Sequence, residues 1–153
     1  MSEITSATDD AVAQLLKCDH WIVVGLRDSQ MRPAWAVSRY LQSLGKLIYP
    51  VHPHPEPVHG RTGYPNVAAA CAAIAADHGV TALANTVVDC FVNSEKVGAV
   101  VDEAIAAGVS GVWLQLQVLD APAIARARSA GLIAVMDRCP AIEAPKLGYP
   151  AAH

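Results

Sequence analysis

Phenylalanine occurs once in this chain and aromatic residues make up only 5% of it, while alanine abounds. Side chains that small suit helices packed closely on a sheet. Charge is scarce as well: 16% of residues are charged against 53% hydrophobic, a balance that excludes disorder. Positive charge is not in excess. A formal net charge of −3 gives no reason to expect nucleic acid, although local basic residues can still meet an anion. No apolar run reaches the ~20 residues of a membrane-spanning helix, and the opening MSEITSATDD is acidic and polar, the opposite of a signal peptide. The expectation is a cytoplasmic protein with no membrane partner. Its 153 residues are enough for one domain with a real core.

Paired cysteines are missing too. Cys18, Cys71, Cys90 and Cys139 lie far apart with no C-x-x-C, so they are expected to be small buried hydrophobes in a reducing compartment.

What is present alternates between strands and helices. Thr5, Ser6 and Thr8 offer caps for a first helix whose apolar face is Val12, Leu15 and Leu16. Trp21 to Val24 is a short apolar run of the kind buried on both faces of a sheet. Gly25 ends it, a polar loop follows, and Pro33 stands at the first position of a helix with Ala36, Val37, Tyr40, Leu41 and Leu44 at helical spacing, stopped by Gly45. Lys46 to Val51 reads as a second strand. The proline-rich HPHPEPVHG, residues 52–60, must be a loop. Asn66 caps an alanine-rich helix ending near Gly79, and Val80 to Val88 contains the next strand. Ser94-Glu95 opens a helix stopped by Gly108. Gly111 to Leu116 forms another strand, Asp120 caps a helix ending at Gly131, and Leu132 to Met136 is the last strand. The tail, with two prolines and little periodicity, is expected to be surface-bound or frayed.

This pattern predicts an α/β fold: a Rossmann-like, doubly wound, mostly parallel sheet flanked by helices, in a single domain. Residues 1–18 form an N-terminal helix, about 19–143 the core, and 144–153 the tail. Ligands of such sheets bind beyond the carboxyl ends of the strands, where Arg27, Asp28, His52, Pro53, Phe91, Asn93, Gln115 and Arg138 fall. A loop running from a buried strand into a helix start offers amides and a positive dipole end to a phosphate.

The commonest nucleotide wiring is nevertheless absent. Gly25 is followed by Arg27 and Gln30 where the dinucleotide fingerprint G-x-G-x-x-G needs its other glycines, and His52-Pro53 stands where that pattern has an acid. No G-K-[ST] of a P-loop occurs. Arg27, Arg32 and Lys46 suggest a bulkier anion, with simple solvation of Arg32 and Lys46 as the alternative.

The segments VVGLRDSQMRPAWAVSRYLQSLG, IYPVHP, VDCFVNSE, VWLQL and MDRCPAIE, in this order, resemble the small stand-alone CoA-binding proteins, which are related to the CoA-binding domain of the succinyl-CoA ligase α-subunit. The resemblance implies a single Rossmann-like domain that binds coenzyme A, or an acyl-CoA, at the carboxyl edge. It implies that Gly25, Leu26, Arg27, Asp28, Arg32 and Pro33 wrap the diphosphate and adenosine end. Lys46 matches a phosphate-contacting lysine of the ligase relatives, His52 and Pro53 match the V-N-P turn, and Phe91 matches the aromatic of D-V-F-R-R. Asn93 lies in that same segment, and Trp113-Leu114-Gln115-Leu116 and Asp137-Arg138-Cys139-Pro140 fill the last two edge loops. The chain departs from the family where His52 replaces asparagine, where Val92-Asn93 replaces two arginines, and where Arg27 replaces a small polar residue.

His52, His54, His59 and Glu56 invite a metal site, yet no structural-zinc spacing or H-E-x-x-H helix accompanies them. Cys139 beside Arg138 suggests a thiol of lowered pKa facing the pantetheine end, against the plainer expectation of core cysteine. No Ser-His-Asp order or G-x-S-x-G occurs. The ligase relatives need a further domain with a phosphorylatable histidine, so autonomous ligation is not expected. The sequence reading is therefore a CoA or acyl-CoA binding, sensing or carrier module without catalysis of its own. Its rivals are an enzyme acting on a CoA thioester through His52, Asp89 or Cys139, and a pyridine-nucleotide-binding sensor. A protein partner or homo-oligomer stays open.

Overall fold

The computed structural model describes residues 3–152, with side chains from Thr8 onward. Five strands, β1 (His20–Val24), β2 (Leu47–Val51), β3 (Thr86–Cys90), β4 (Gly111–Leu114) and β5 (Ile133–Val135), pair in the order β2-β1-β3-β4-β5. Every pairing is parallel, so the expected "mostly parallel" sheet is wholly so. The chain leaves β1 toward β2, then returns to the other side of β1 for β3. Its switch point therefore lies between β1 and β3, the place where doubly wound sheets open a ligand crevice.

Among the described residues six α-helices cover the sheet: α1 (Glu3–Leu16), α2 (Pro33–Ser43), α3 (Val67–His78), α4 (Val97–Ala107), α5 (Ala121–Ser129) and α6 (Pro140–Lys146). Alternate residues of each strand serve opposite faces. Ile22, Val88 and Val112 pack with α3, α4 and α5 on one face. Trp21, Val87 and Trp113 pack with α1, α2 and α6 on the other, where the two indole rings meet at 5.8 Å. Burial on both faces explains why these strands read as continuous apolar runs. Pro50 is tolerated because β2 is an edge strand. Its carbonyl points outward to accept from the Tyr64 amide at 2.8 Å, so its missing N–H is lost on the side that β1 does not use.

The capping residues Asn66 and Asp120 do accept from the amides of Ala69 and Ala123, and all four cysteines are buried. Other boundaries move. Because α1 already runs from Glu3, Thr8 lies inside it rather than at its start; the side chains of Thr5 and Ser6 lie outside the described residues. Ser94-Glu95 does not open α4, which starts at Val97, because Asn93 first makes a turn in which its side chain accepts from the Lys96 amide. Of the two expectations for the tail, the described residues take the surface-bound one: α6 runs across the expected core boundary at residue 143, and the Tyr40 hydroxyl donates to the Pro150 carbonyl at 2.6 Å. Prolines of α6 hid the helix: Pro140, before the tail, sits at the first helical position, which tolerates proline, and Pro145 falls near the end.

Candidate functional site

Ladder bonding continues beyond the strand ends and holds the first residues of three edge loops. The Gly25 amide donates to the Val51 carbonyl at 2.8 Å, the Phe91 amide to Val24 at 2.9 Å, and the Gln115 amide to Cys90 at 3.3 Å. Gly25 has φ 93°, and a Cβ there would lie 2.6 Å from the Phe91 carbonyl oxygen. Only glycine lets the loops after β1 and β3 approach so closely. Above this contact opens a crevice of about 320 Å³, within the ~300–1,000 Å³ range of small-molecule sites. Pro33, Ala34 and Val37 of α2 form one wall; Phe91, Val92, Leu116 and Val118 form the other. Arg32 is exposed at the rim, while Gln115 and Cys139 are buried at the floor.

The start of α2 is the polar resource of the crevice. Arg32 is its N-cap residue without a side-chain cap, Pro33 opens the helix, and no acid occupies the first turn. The positive end of the helix is therefore left uncompensated by any side chain of its own cap. Arg32 makes no ion pair among the described residues. Pro33 has no N–H and the Trp35 amide donates to the Arg32 carbonyl at 3.1 Å, so an anion reaching this rim meets the Ala34 amide, the dipole of α2 and a guanidinium together.

Arg27 is engaged elsewhere. Its Nε donates to Glu56 Oε1 at 3.1 Å, and the same oxygen accepts from the Asp28 amide at 2.8 Å. These two donors hold the Glu56 carboxyl below its ordinary range. Asp28 in turn accepts from Trp35 Nε1 at 3.1 Å, tying the loop after β1 to α2. Burial and Arg27 lower the pKa of His52, which favours its neutral form, and its Nδ1 accepts from the His54 amide at 3.0 Å.

Of the residues expected to form one site, the fold brings Gly25, Arg32, Pro33, Phe91 and Gln115 to the crevice wall, with Arg27, Asp28 and His52 beside it on the same edge. Leu26 turns into the core, 1% exposed. Pro53 is exposed outside the crevice wall, and Asn93 is exposed beside Val92 with its Oδ1 accepting from the Lys96 amide in the turn before α4. Lys46 requires correction. It precedes β2 at the amino edge of the sheet, the end opposite the crevice, and is buried with its Nζ donating to the Leu16 carbonyl at 2.6 Å. The sequence already placed Lys46 at the opening of the second strand, which in a parallel sheet is the end away from the ligand edge; its phosphate-contacting role came from the resemblance.

Cys139 is the second correction. Burial pushes its thiol up, and Asp89 and Glu143 add to the rise, outweighing the amides of Ala141 and Ile142; Arg138 does not make it a low-pKa thiol. The histidine-rich loop also resolves into separate tasks. Glu56 holds Arg27, His59 bonds with Ser38 and the Trp35 carbonyl, and no cluster of potential metal ligands forms among the described residues.

Among the apolar wall residues, Ala34 and Val118 were not singled out by sequence, and Val37 was read only as helix core. The signal of Ala34 and Val118 was only that they open α2 or follow β4, which ordinary core residues also do.

Solved structures share this architecture. A Pyrococcus horikoshii OT3 hypothetical protein is 31% identical over 96% of each chain, with a TM-score of 0.78. A protein redesigned for binding, Prb, is 33% identical over 95% of this chain and 96% of its own, with a TM-score of 0.77. A Thermus thermophilus structure matches at 25% identity over 91% of this chain and 98% of its own, with a TM-score of 0.74. The family model described as a CoA binding domain matches residues 19–145, a span that includes β1, the whole crevice and nearly all of α6. With its crevice at the switch point and that match running through it, the chain belongs to the CoA-binding domain family.

Proposed function

We propose that this chain is a CoA or acyl-CoA binding module of the cytoplasm, a sensor or carrier rather than a ligase, with its ligand seated in the crevice between α2 and the loops after β3 and β4. The carrying observation is the uncapped start of α2 with Arg32 at the rim. A diphosphate there accepts from the Ala34 amide at the helix start, which has no partner among the described residues, and from a guanidinium at once. The apolar wall suits the methylene-rich or flat parts of such a ligand, and exposed Met31 and Leu116 (93% and 51%) extend apolar surface near the rim. Arg27 reaches the ligand only by sharing or leaving Glu56.

Binding is favoured over thioester turnover because burial pushes the Cys139 thiol up and Gln115 holds Asp89. Calorimetric titration with CoA, acetyl-CoA and NADH tests the reading. Saturable binding of CoA is expected; saturable heat with NADH and none with CoA overturns it. Turnover of acetyl-CoA that disappears in His52→Ala would establish the enzymatic alternative instead.

A further inference from the structure

Beneath the crevice lies a polar pair that phosphate recognition does not use. Asp89 stands on β3 with Val23 of β1 and Trp113 of β4 as its register neighbours, and it is fully buried. Its Oδ1 accepts from Gln115 Nε2 at 2.5 Å, whereas Oδ2 has no partner among the described residues. A carboxyl among such neighbours costs stability, and for packing alone an apolar side chain of the same size would do as well or better. What the carboxyl adds is its grip on Gln115. With Nε2 turned inward to Asp89, the other end of that amide, Oε1, has no partner among the described residues and belongs to a side chain lining the crevice.

We propose that Asp89 is a positioning residue that locks Gln115 with its carbonyl toward the crevice, where it accepts a hydrogen bond from an N–H group of the bound ligand. The inference rests on the CoA reading and sharpens it. A floor that presents an acceptor selects ligands carrying an amide or amino N–H and rejects those without one, because the oxygen is then left unpaired. CoA carries such groups at two places, the adenine amino group and the two amides of the pantetheine arm, and the chemistry at the floor is the same for both.

The deciding experiment compares wild type with Asp89→Leu, Asp89→Asn and Gln115→Met by calorimetry, using CoA, adenosine 3′,5′-bisphosphate and 4′-phosphopantetheine as probes. Asp89→Leu fills the same buried volume but frees Gln115, so CoA affinity is expected to fall about tenfold, one net hydrogen bond. Gln115→Met, which alters a crevice side chain, is expected to fall equally. Asp89→Asn keeps an acceptor for Nε2 and is expected to bind as wild type does, a rescue that a general packing defect would not give. The loss should follow one fragment: phosphopantetheine if an arm amide is the donor, the bisphosphate if the adenine amino group is. Wild-type affinity in Asp89→Leu and Gln115→Met overturns the inference, as does an equal loss on both fragments or no rescue by asparagine. Wild-type protein that takes up none of the probes removes the CoA reading together with it.

Discussion

The two ends of this one sheet use their charged side chains in opposite ways. At the amino end, Lys46 is buried and its ammonium is consumed by the Leu16 carbonyl at the end of α1. At the carboxyl end, Arg32 is exposed at the rim of a crevice, without an ion pair among the described residues. The first cation closes the fold; the second waits at a surface. Position along a strand, not residue type, separates them, because a doubly wound sheet turns the carboxyl ends of all its strands toward one opening.

The harshest challenge to this contrast is Gly25→Ala. The new Cβ meets the Phe91 carbonyl oxygen and the backbone is held at positive φ, so a loss of about 2–3 kcal/mol is expected in denaturant unfolding, together with loss of CoA binding. Wild-type stability would mean that the crevice edge is not built on that contact. Next comes the matched pair Lys46→Ala and Arg32→Ala. The lysine variant is expected to lose about 2 kcal/mol of stability through its buried stem and lost hydrogen bond, with CoA affinity unchanged. The arginine variant should keep its stability and bind CoA about tenfold more weakly, one charge-assisted contact. An exchange of those phenotypes would break the comparison.

Asp89 supplies a pH test. Burial pushes its carboxyl from the ordinary 3.8 up to about 8, against the opposing pull of Gln115. A raised carboxyl pKa means that the folded chain keeps a proton the unfolded chain releases. Stability relative to Asp89→Asn is therefore greatest below pH 4 and falls through the window from about 4 to about 8, by at most about 1.4 kcal/mol per pH unit. Parallel curves for the two proteins would place Asp89 in a more solvated setting. The smallest expected effect is kinetic: bound CoA should slow alkylation of Cys139, which lines the crevice, and leave Cys71, beside α4, unchanged. Equal protection of both, read by mass spectrometry of peptides, would locate the ligand elsewhere.

Much of the fold was legible because its signals are local. Trp21 to Val24 reads as a buried strand from four consecutive apolar residues, and Asn66 and Asp120 announce helix starts by their own side chains. The site was only half legible. Gly25, Arg32 and Pro33 declare themselves by backbone chemistry at a strand-to-helix turn. Lys46 carries the right chemistry in the wrong surroundings, a burial that uses the ammonium, and Asn93 gives its Oδ1 to a turn that its sequence did not announce. Glu56, outwardly a candidate metal ligand, holds Arg27 across 29 positions of sequence, and no spacing rule anticipates such a pair.

Composition and the alternation of apolar runs with capped helices determined by themselves that this chain folds as a single helix-covered parallel sheet, since periodicity and capping act between residues close in sequence. Only the tertiary structure decided which charges stand free at the crevice and which are spent inside, and that Asp89 and Gln115 share its floor, because those facts depend on burial and on which distant segments the strand order makes neighbours.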